Sequence, residues 1–239
     1  MILLIDTGNT QTKFKLYSKE EFYMVKTSEI NSLSFKSYIN EVVDGAIISS
    51  VVKGASDILK RIIKEEYGID ALVVNTNLKS NVFYDKDMVN KLGTDMFSSL
   101  EGAMSLSHTF LSIDCGTATT FNLVIDGKYI GTTIAPGVYT AHNALFTNAS
   151  LIDEISLDGD FNLLNRDTDT AVRAGTILGF TYLIDGFIDS IKDKYHLDNL
   201  DVYITGGASK YIHKHLKNSV TRIKDLIFRG LIRLYDLNK

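Results

Sequence analysis

Residues 3–17 read LLIDTGNTQTKFKLY, and the same pattern returns at residues 110–131 as FLSIDCGTATTFNLVIDGKYIG. Ile5, Asp6, Gly8 and Thr12 align with Ile113, Asp114, Gly116 and Thr120, a constant offset of 108 residues. Each copy begins as a buried strand and breaks at an acid, a glycine and small polar residues. It then resumes as an alternating strand, turns again at polar residues (SKEE, DGK) and returns. Internal duplication restricts the fold more than any single motif does. It predicts two similar α/β halves, residues 1–110 and 111–239, each opening with a hairpin whose first turn carries an aspartate.

The remaining elements fit that class. Leu3–Ile5, Lys13–Tyr17 and Glu21–Lys26 read as strands, and GAIISSVV (45–52) and ALVVN (71–75) as buried parallel ones. Between these two, Ser56 suits the cap of a helix with Ile58, Leu59, Ile62 and Ile63 on one stripe, stopped by Gly68. Strand, helix and strand in that order make a β–α–β crossover. Further helices are expected from Thr94 or Asp95, over Thr170–Tyr195 and over Tyr211–Leu237. The formal charge is −4 with no basic block, so no nucleic-acid or anionic-membrane partner is expected. Asp185 and Gly186 interrupt the longest apolar run, so no membrane span is expected either. Cys115 is the single cysteine, which fits a reducing cytoplasm.

Two aspartates at equivalent turns, facing each other across a cleft between the halves, would repel unless a cation or a metal-bound phosphate lay between them. Mg²⁺ suits that setting, taking one or two carboxylates, water and substrate phosphate. Gly8 and Gly116 allow close backbone approach, and Asn9, Thr10, Thr117, Thr119 and Thr120 add donors. D-x-G is also an ordinary turn, and either copy alone would carry no more than that. The recurrence at equivalent positions favours phosphate and metal. The five histidines have no metal-ligand spacing.

DTGNT (6–10) and DCGTATT (114–120) resemble the paired phosphate loops of the acetate and sugar kinase, heat-shock ATPase and actin superfamily. Within it, the chain most resembles the type III pantothenate kinases, the Bvg accessory factor-like group. Gly93, Thr94 and Asp95 match three positions of a G-x-D-R motif, and GTTIAPG (131–137) resembles G-G-x-I-x-P-G. Thr168, Ala171 and Gly175 follow T-x-x-A-x-x-x-G, TGG (205–207) matches a segment near the nucleotide, and IISSVV resembles an I-x-S-S-V strand.

The resemblance implies two ribonuclease H-like halves and ATP-dependent phosphorylation of pantothenate to 4'-phosphopantothenate, the first step of coenzyme A synthesis. It implies Asp95 as general base and ATP held by Asp6, Thr7, Gly8, Asn9, Thr10, Gln11, Thr12 and Lys13, with Gly116, Thr117, Thr205, Gly206 and Gly207. Tyr84, Gly93, Thr94, Asp95, Met96 and Thr168 would line the pantothenate pocket. Asp6 would hold Mg²⁺ through water, Asp114 would lie beside K⁺ or NH₄⁺, and a homodimer would complete the pocket. Residue chemistry alone makes Asp95 a helix N-cap; the resemblance adds the base.

Departures cluster at the acceptor. Met96 stands where the motif has an arginine, which would clamp a carboxylate; Thr132 replaces a glycine; and 84–93 is about two residues longer than expected and lacks a proline. Two alternatives follow: a same-fold kinase with another acceptor, and a nucleotide-binding regulator with little catalysis. Asp6, Asp95 and Asp114 together favour an enzyme, since a binder needs no base.

Overall fold

The computed structural model describes residues 1–89, 91–149 and 153–239, with the side chains of Lys86 and Val89 left aside. Asn90, in the 84–93 segment, lies outside the described residues.

Two five-stranded sheets are built to one plan. The first comprises β1 (Ile2–Thr7), β2 (Gln11–Leu16), β3 (Tyr23–Lys26), β4 (Gly45–Ser50) and β5 (Leu72–Val73), in the order β3-β2-β1-β4-β5. β1 to β3 form an antiparallel meander, while β4 runs parallel to β1 and β5 parallel to β4. The second comprises β6 (Phe110–Cys115), β7 (Ala118–Ile125), β8 (Lys128–Pro136), β9 (Asp201–Thr205) and β10 (Thr221–Arg222), ordered β10-β9-β6-β7-β8. Here β7 is antiparallel to β6, while β9 and β10 are parallel additions on its other side. The duplicated ribonuclease H-like plan follows from these matching orders, and strand-paired Asp6–Lys13 and Asp114–Thr120 occupy corresponding places in it.

The chain forms two compact units, and they are not contiguous in sequence. One contains 1–106, 127–129 and 225–239; the other contains 107–126 and 130–224. This differs from a division into 1–110 and 111–239 because the last helix joins the first unit.

In the first unit, α1 (Ala55–Tyr67) covers one sheet face, with Leu59, Ile62 and Ile63 against Leu3, Ile5, Phe14 and Ile48. It starts after Gly54, at φ 77°, with no side-chain cap, so Ser56 does not cap it. Helices α2 (Lys86–Val89) and α3 (Thr94–Met104) follow. In the second unit, α4 (Val138–Asn148) precedes α5 (Thr168–Tyr195), which is capped by Asp167 through Thr170 N at 2.9 Å. Ala174, Ile177, Thr181, Ile184 and Ile188 of α5 are buried. By length and composition α5 could cross a membrane; its Asp185 is buried and accepts from Lys217 N at 3.0 Å and Asn218 N at 3.1 Å.

The helix expected over Tyr211–Leu237 is a correction. It is divided into α6 (Ser209–Ile212), a 3₁₀ turn, β10 and α7 (Leu226–Asn238). Asp185 captures the amides at 217 and 218, and Thr221–Arg222 pair with β9. The chain then returns as α7 to the first unit, where Phe228 and Leu231 pack with Leu4, Ile47 and Phe97. α7 meets α3 at glycines: a Cβ on Gly230 would overlap Ser98 O, and one on Gly102 would overlap Leu226 O.

Candidate active site

Strand register fixes which side chains share a face. Asp6 pairs with Lys13 on β2 and with Ser49 on β4. Two residues earlier, Leu4 and Ile47 face α3 and α7, so Asp6, Lys13 and Ser49 point to that side as well. The turn between β1 and β2 closes through Gly8 N to Gln11 O at 3.0 Å and leaves Asn9, Thr10 and Gln11 exposed. Thr27 braces it from behind: its Oγ1 donates to Gly8 O at 2.7 Å and lies 3.2 Å from Thr12 Oγ1. Thr7 Oγ1 is buried with no partner among the described residues.

The start of α3 is tied to the same sheet end. Ser49 Oγ donates to Thr94 Oγ1 at 3.2 Å, and Thr94 Oγ1 donates to Ser50 O at 2.9 Å. Because Ser49 and Ser50 are the register partners of Asp6 and Thr7, Asp95 is delivered to the end of β1 that carries the acidic turn. Asp95 is half-buried, and its Oδ1 accepts from Met96 N at 2.8 Å. Gly93 holds the cap position and makes no side-chain cap, so the cap expected of Asp95 is replaced by this local bond. Met96 is half-buried, while Tyr84 stacks on Phe97 with centroids 5.2 Å apart. Burial, and then the charge of Glu101, pushes the Tyr84 hydroxyl above the usual tyrosine range.

In the second unit, Asp114 pairs with Thr120 and Thr205. Gly206 abuts Asp114 and Cys115, and Ala208 N donates to Cys115 O at 3.3 Å, so the TGG turn lies against the acidic turn. The loop is also held from below. Gly137 N at 3.1 Å and Thr140 Oγ1 at 2.7 Å both donate to Thr117 O. A Cβ on Gly137 would overlap the Gly116 and Thr117 carbonyls, which explains the glycine that ends GTTIAPG. Cys115 is buried, and its thiol is pushed up to about 12 by burial and then by Asp114, so it is no nucleophile. Thr168 opens α5 and lines a groove of about 580 Å³ with Ala141, His142, Leu145, Ala171 and Gly175.

The structure therefore gathers 6–13 with 93–96 in one unit, and 114–117 with 205–207 in the other. Thr27, Ser49, Ser50 and Thr140 brace these turns through bonds that sequence alone does not reveal. The S-S of IISSVV and the terminal glycine of GTTIAPG were the available signals. Among the described residues, no three His, Cys, Asp or Glu side chains converge. The donors at Asp6 are hard oxygens, a set that suits Mg²⁺ completed by water and phosphate.

Comparison with known proteins identifies the family. The sequence pattern of the type III pantothenate kinases matches residues 2–190. A type III pantothenate kinase of Pelagibacter ubique is 31% identical over 254 residues, with all of both chains covered. One from Acholeplasma laidlawii is 28% identical over 247 residues, covering 100% of this chain and 99% of that protein. Among solved structures, a Campylobacter jejuni protein described as a Baf family transcriptional activator has a TM-score of 0.60 at 19% identity, covering 98% of this chain and 97% of the other. A Sinorhizobium meliloti protein described as a 2-dehydro-3-deoxygalactonokinase has a TM-score of 0.58 at 11% identity, with 98% of each chain covered. The full-length match to these relatives and the shared duplicated fold lead to one assignment: the chain belongs to the type III pantothenate kinase family.

Proposed function

We propose that this enzyme transfers the γ-phosphoryl group of ATP to the hydroxyl of pantothenate, with Asp95 as the base. The observation that carries this reading is the Ser49–Thr94–Ser50 tie, which brings the start of α3 to the strand end bearing Asp6. Phosphoryl transfer needs little beyond positioning, charge compensation and a destination for the acceptor's proton.

This chain's residues divide those tasks. Residues 7–13 offer a turn for the phosphates, with Lys13 across the strand from Asp6. In the other unit, Gly116, Thr117 and 205–207 would contact the nucleotide. Asp95 keeps Oδ1 on Met96 N, and Oδ2 makes no hydrogen bond among the described residues, so Oδ2 can take the acceptor proton. When bound, Mg²⁺ neutralises phosphate charge, and Asp6 would hold it through water. Asp114 would neighbour K⁺ or NH₄⁺.

Tyr84, 93–96 and Thr168 would bind pantothenate, with a second copy of the chain completing the pocket. Support for that copy comes from α5: Cβ positions at Gly175, Gly179 and Gly186 meet nothing, and Tyr182 is 60% exposed. The single buried thiol fits a cytoplasmic setting. An ADP-release assay with pantothenate against a panel of small alcohols tests the reading. Met96 supports one competitor, a kinase of this fold with a more apolar acceptor; turnover of another alcohol in preference to pantothenate would establish it.

A further inference from the structure

A carboxylate with no exposed surface sits in the middle of α3. Glu101 is completely buried, and a lone charge there would be strongly unfavourable. It is saturated instead. Oε2 accepts from Ser80 Oγ at 2.7 Å and Asn81 N at 2.8 Å, while Oε1 accepts from Asn81 Nδ2 at 2.6 Å and Arg233 Nε at 3.3 Å. An apolar residue of similar volume would hold α3 against α7 at least as well, because a desolvated ion pair gives little net stability. The carboxylate adds direction. Most of its donors come from Ser80 and Asn81, which begin the segment that runs through Tyr84 to Gly93 and back into α3.

That segment is fastened to α3 at both ends. At its exit, Phe97 N donates to Gly93 O at 2.9 Å. Between the ends, Phe83 N donates to Gly127 O at 2.8 Å, Tyr129 N donates to Phe83 O at 2.9 Å, and Asp85 pairs with Lys128 at 3.1 Å. Glu101 is rooted in the helix that carries Asp95, roughly 9 Å further along its axis.

We propose that Glu101 is a positioning residue for the acceptor: by holding Ser80 and Asn81 it sets where Tyr84 stands relative to Asp95. This rests on the reading that Tyr84 and 93–96 line the acceptor pocket. Glu101 touches no reacting atom, so its loss should weaken acceptor binding and leave the nucleotide turn alone.

The test compares the full chain with Glu101→Gln and the milder Asn81→Ser. Pantothenate and ATP KM values are measured together with hydrogen exchange over 80–89. Glutamine keeps the shape but turns an NH₂ toward donors. The expected result is a pantothenate KM raised about 2- to 30-fold in Glu101→Gln and less in Asn81→Ser. The ATP KM should stay within about twofold, and exchange should quicken over 80–89 but not in β1 or β4. Should Glu101→Gln fail to fold, Asn81→Ser carries the same comparison. Unchanged exchange over 80–89 overturns the clamp whatever the activity. Equal rises in both KM values, or faster exchange with an unchanged pantothenate KM, reduce Glu101 to packing. A wild type that never uses pantothenate sinks the acceptor reading instead, and the exchange result still decides whether Glu101 holds the segment.

Discussion

Gly206 lies so close to Asp114 that a Cβ on the glycine would overlap the carboxylate Oδ1 and the backbone of Cys115. Its φ of +89° is also one that a side chain strains to adopt. Gly206→Ala should therefore cost about 1–3 kcal/mol from backbone strain alone, and should also displace Asp114. Thermal melts with and without Mg²⁺–ATP should show a lower midpoint and less stabilisation by nucleotide. Gly207→Ala, with open space around its Cβ, should leave the midpoint of the nucleotide-free protein unchanged.

Asp95→Asn keeps the shape of the side chain but removes its ability to accept a proton. Turnover should fall by ~10²–10⁴, while ATP binding, measured calorimetrically, stays near the wild-type value. Near-normal turnover would leave Asp95 as no more than a residue of the first helical turn.

Met96 supplies no charge where the family motif has arginine. A charge-assisted hydrogen bond is worth roughly 1.5–3 kcal/mol, equivalent to about ten- to more than a hundredfold in affinity. Met96→Arg should lower the pantothenate KM and affect the ATP KM less, with pantothenate varied at saturating ATP. An increase would point to an apolar acceptor instead, with the new guanidinium buried unpaired.

The α3–α7 crossing depends on two glycines. Gly230→Ala should destabilise the first unit by about 1–3 kcal/mol or more, because its Cβ meets the backbone at Ser98 rather than a movable side chain. Urea denaturation reads the loss directly. Gly207→Ala, whose Cβ position is open, should not reproduce it.

Cys115 gives a pH prediction. Its thiol is raised from 9.0 to about 12 in the fold, so between those values the unfolded chain has lost a proton that the folded chain retains. Stability should then fall as pH rises from about 9 to 12, and Cys115→Ser should flatten that limb of the melting curve. Native protein at pH 8 should also resist alkylation until it unfolds.

The elements that could be read from sequence were those whose signals are local. Asp6–Gly8 and Asp114–Gly116 announce their turns by residue type, and alternation announces the strands beside them. Long-range partners left no such mark. Glu101 looks like any polar helix residue, because its bonds reach Asn81 and Arg233, 20 and 132 positions away. The break in the expected 211–237 helix depends on Asp185, itself in another helix. Thr94 could be placed in a motif, but its bonds to Ser49 and Ser50 required β4 to lie beside β1.

The return of α7 to the first unit carries a consequence for biogenesis. Residues 1–106 leave the ribosome without the helix whose Phe228 and Leu231 cover Leu4 and Ile47. At roughly 5–20 residues per second, that apolar sheet face waits about 7 to 27 s for its cover while the second unit is being made. The nascent chain should therefore be a chaperone client at its amino-terminal end, and slowing translation late in the message should raise aggregation of a unit that was synthesised first.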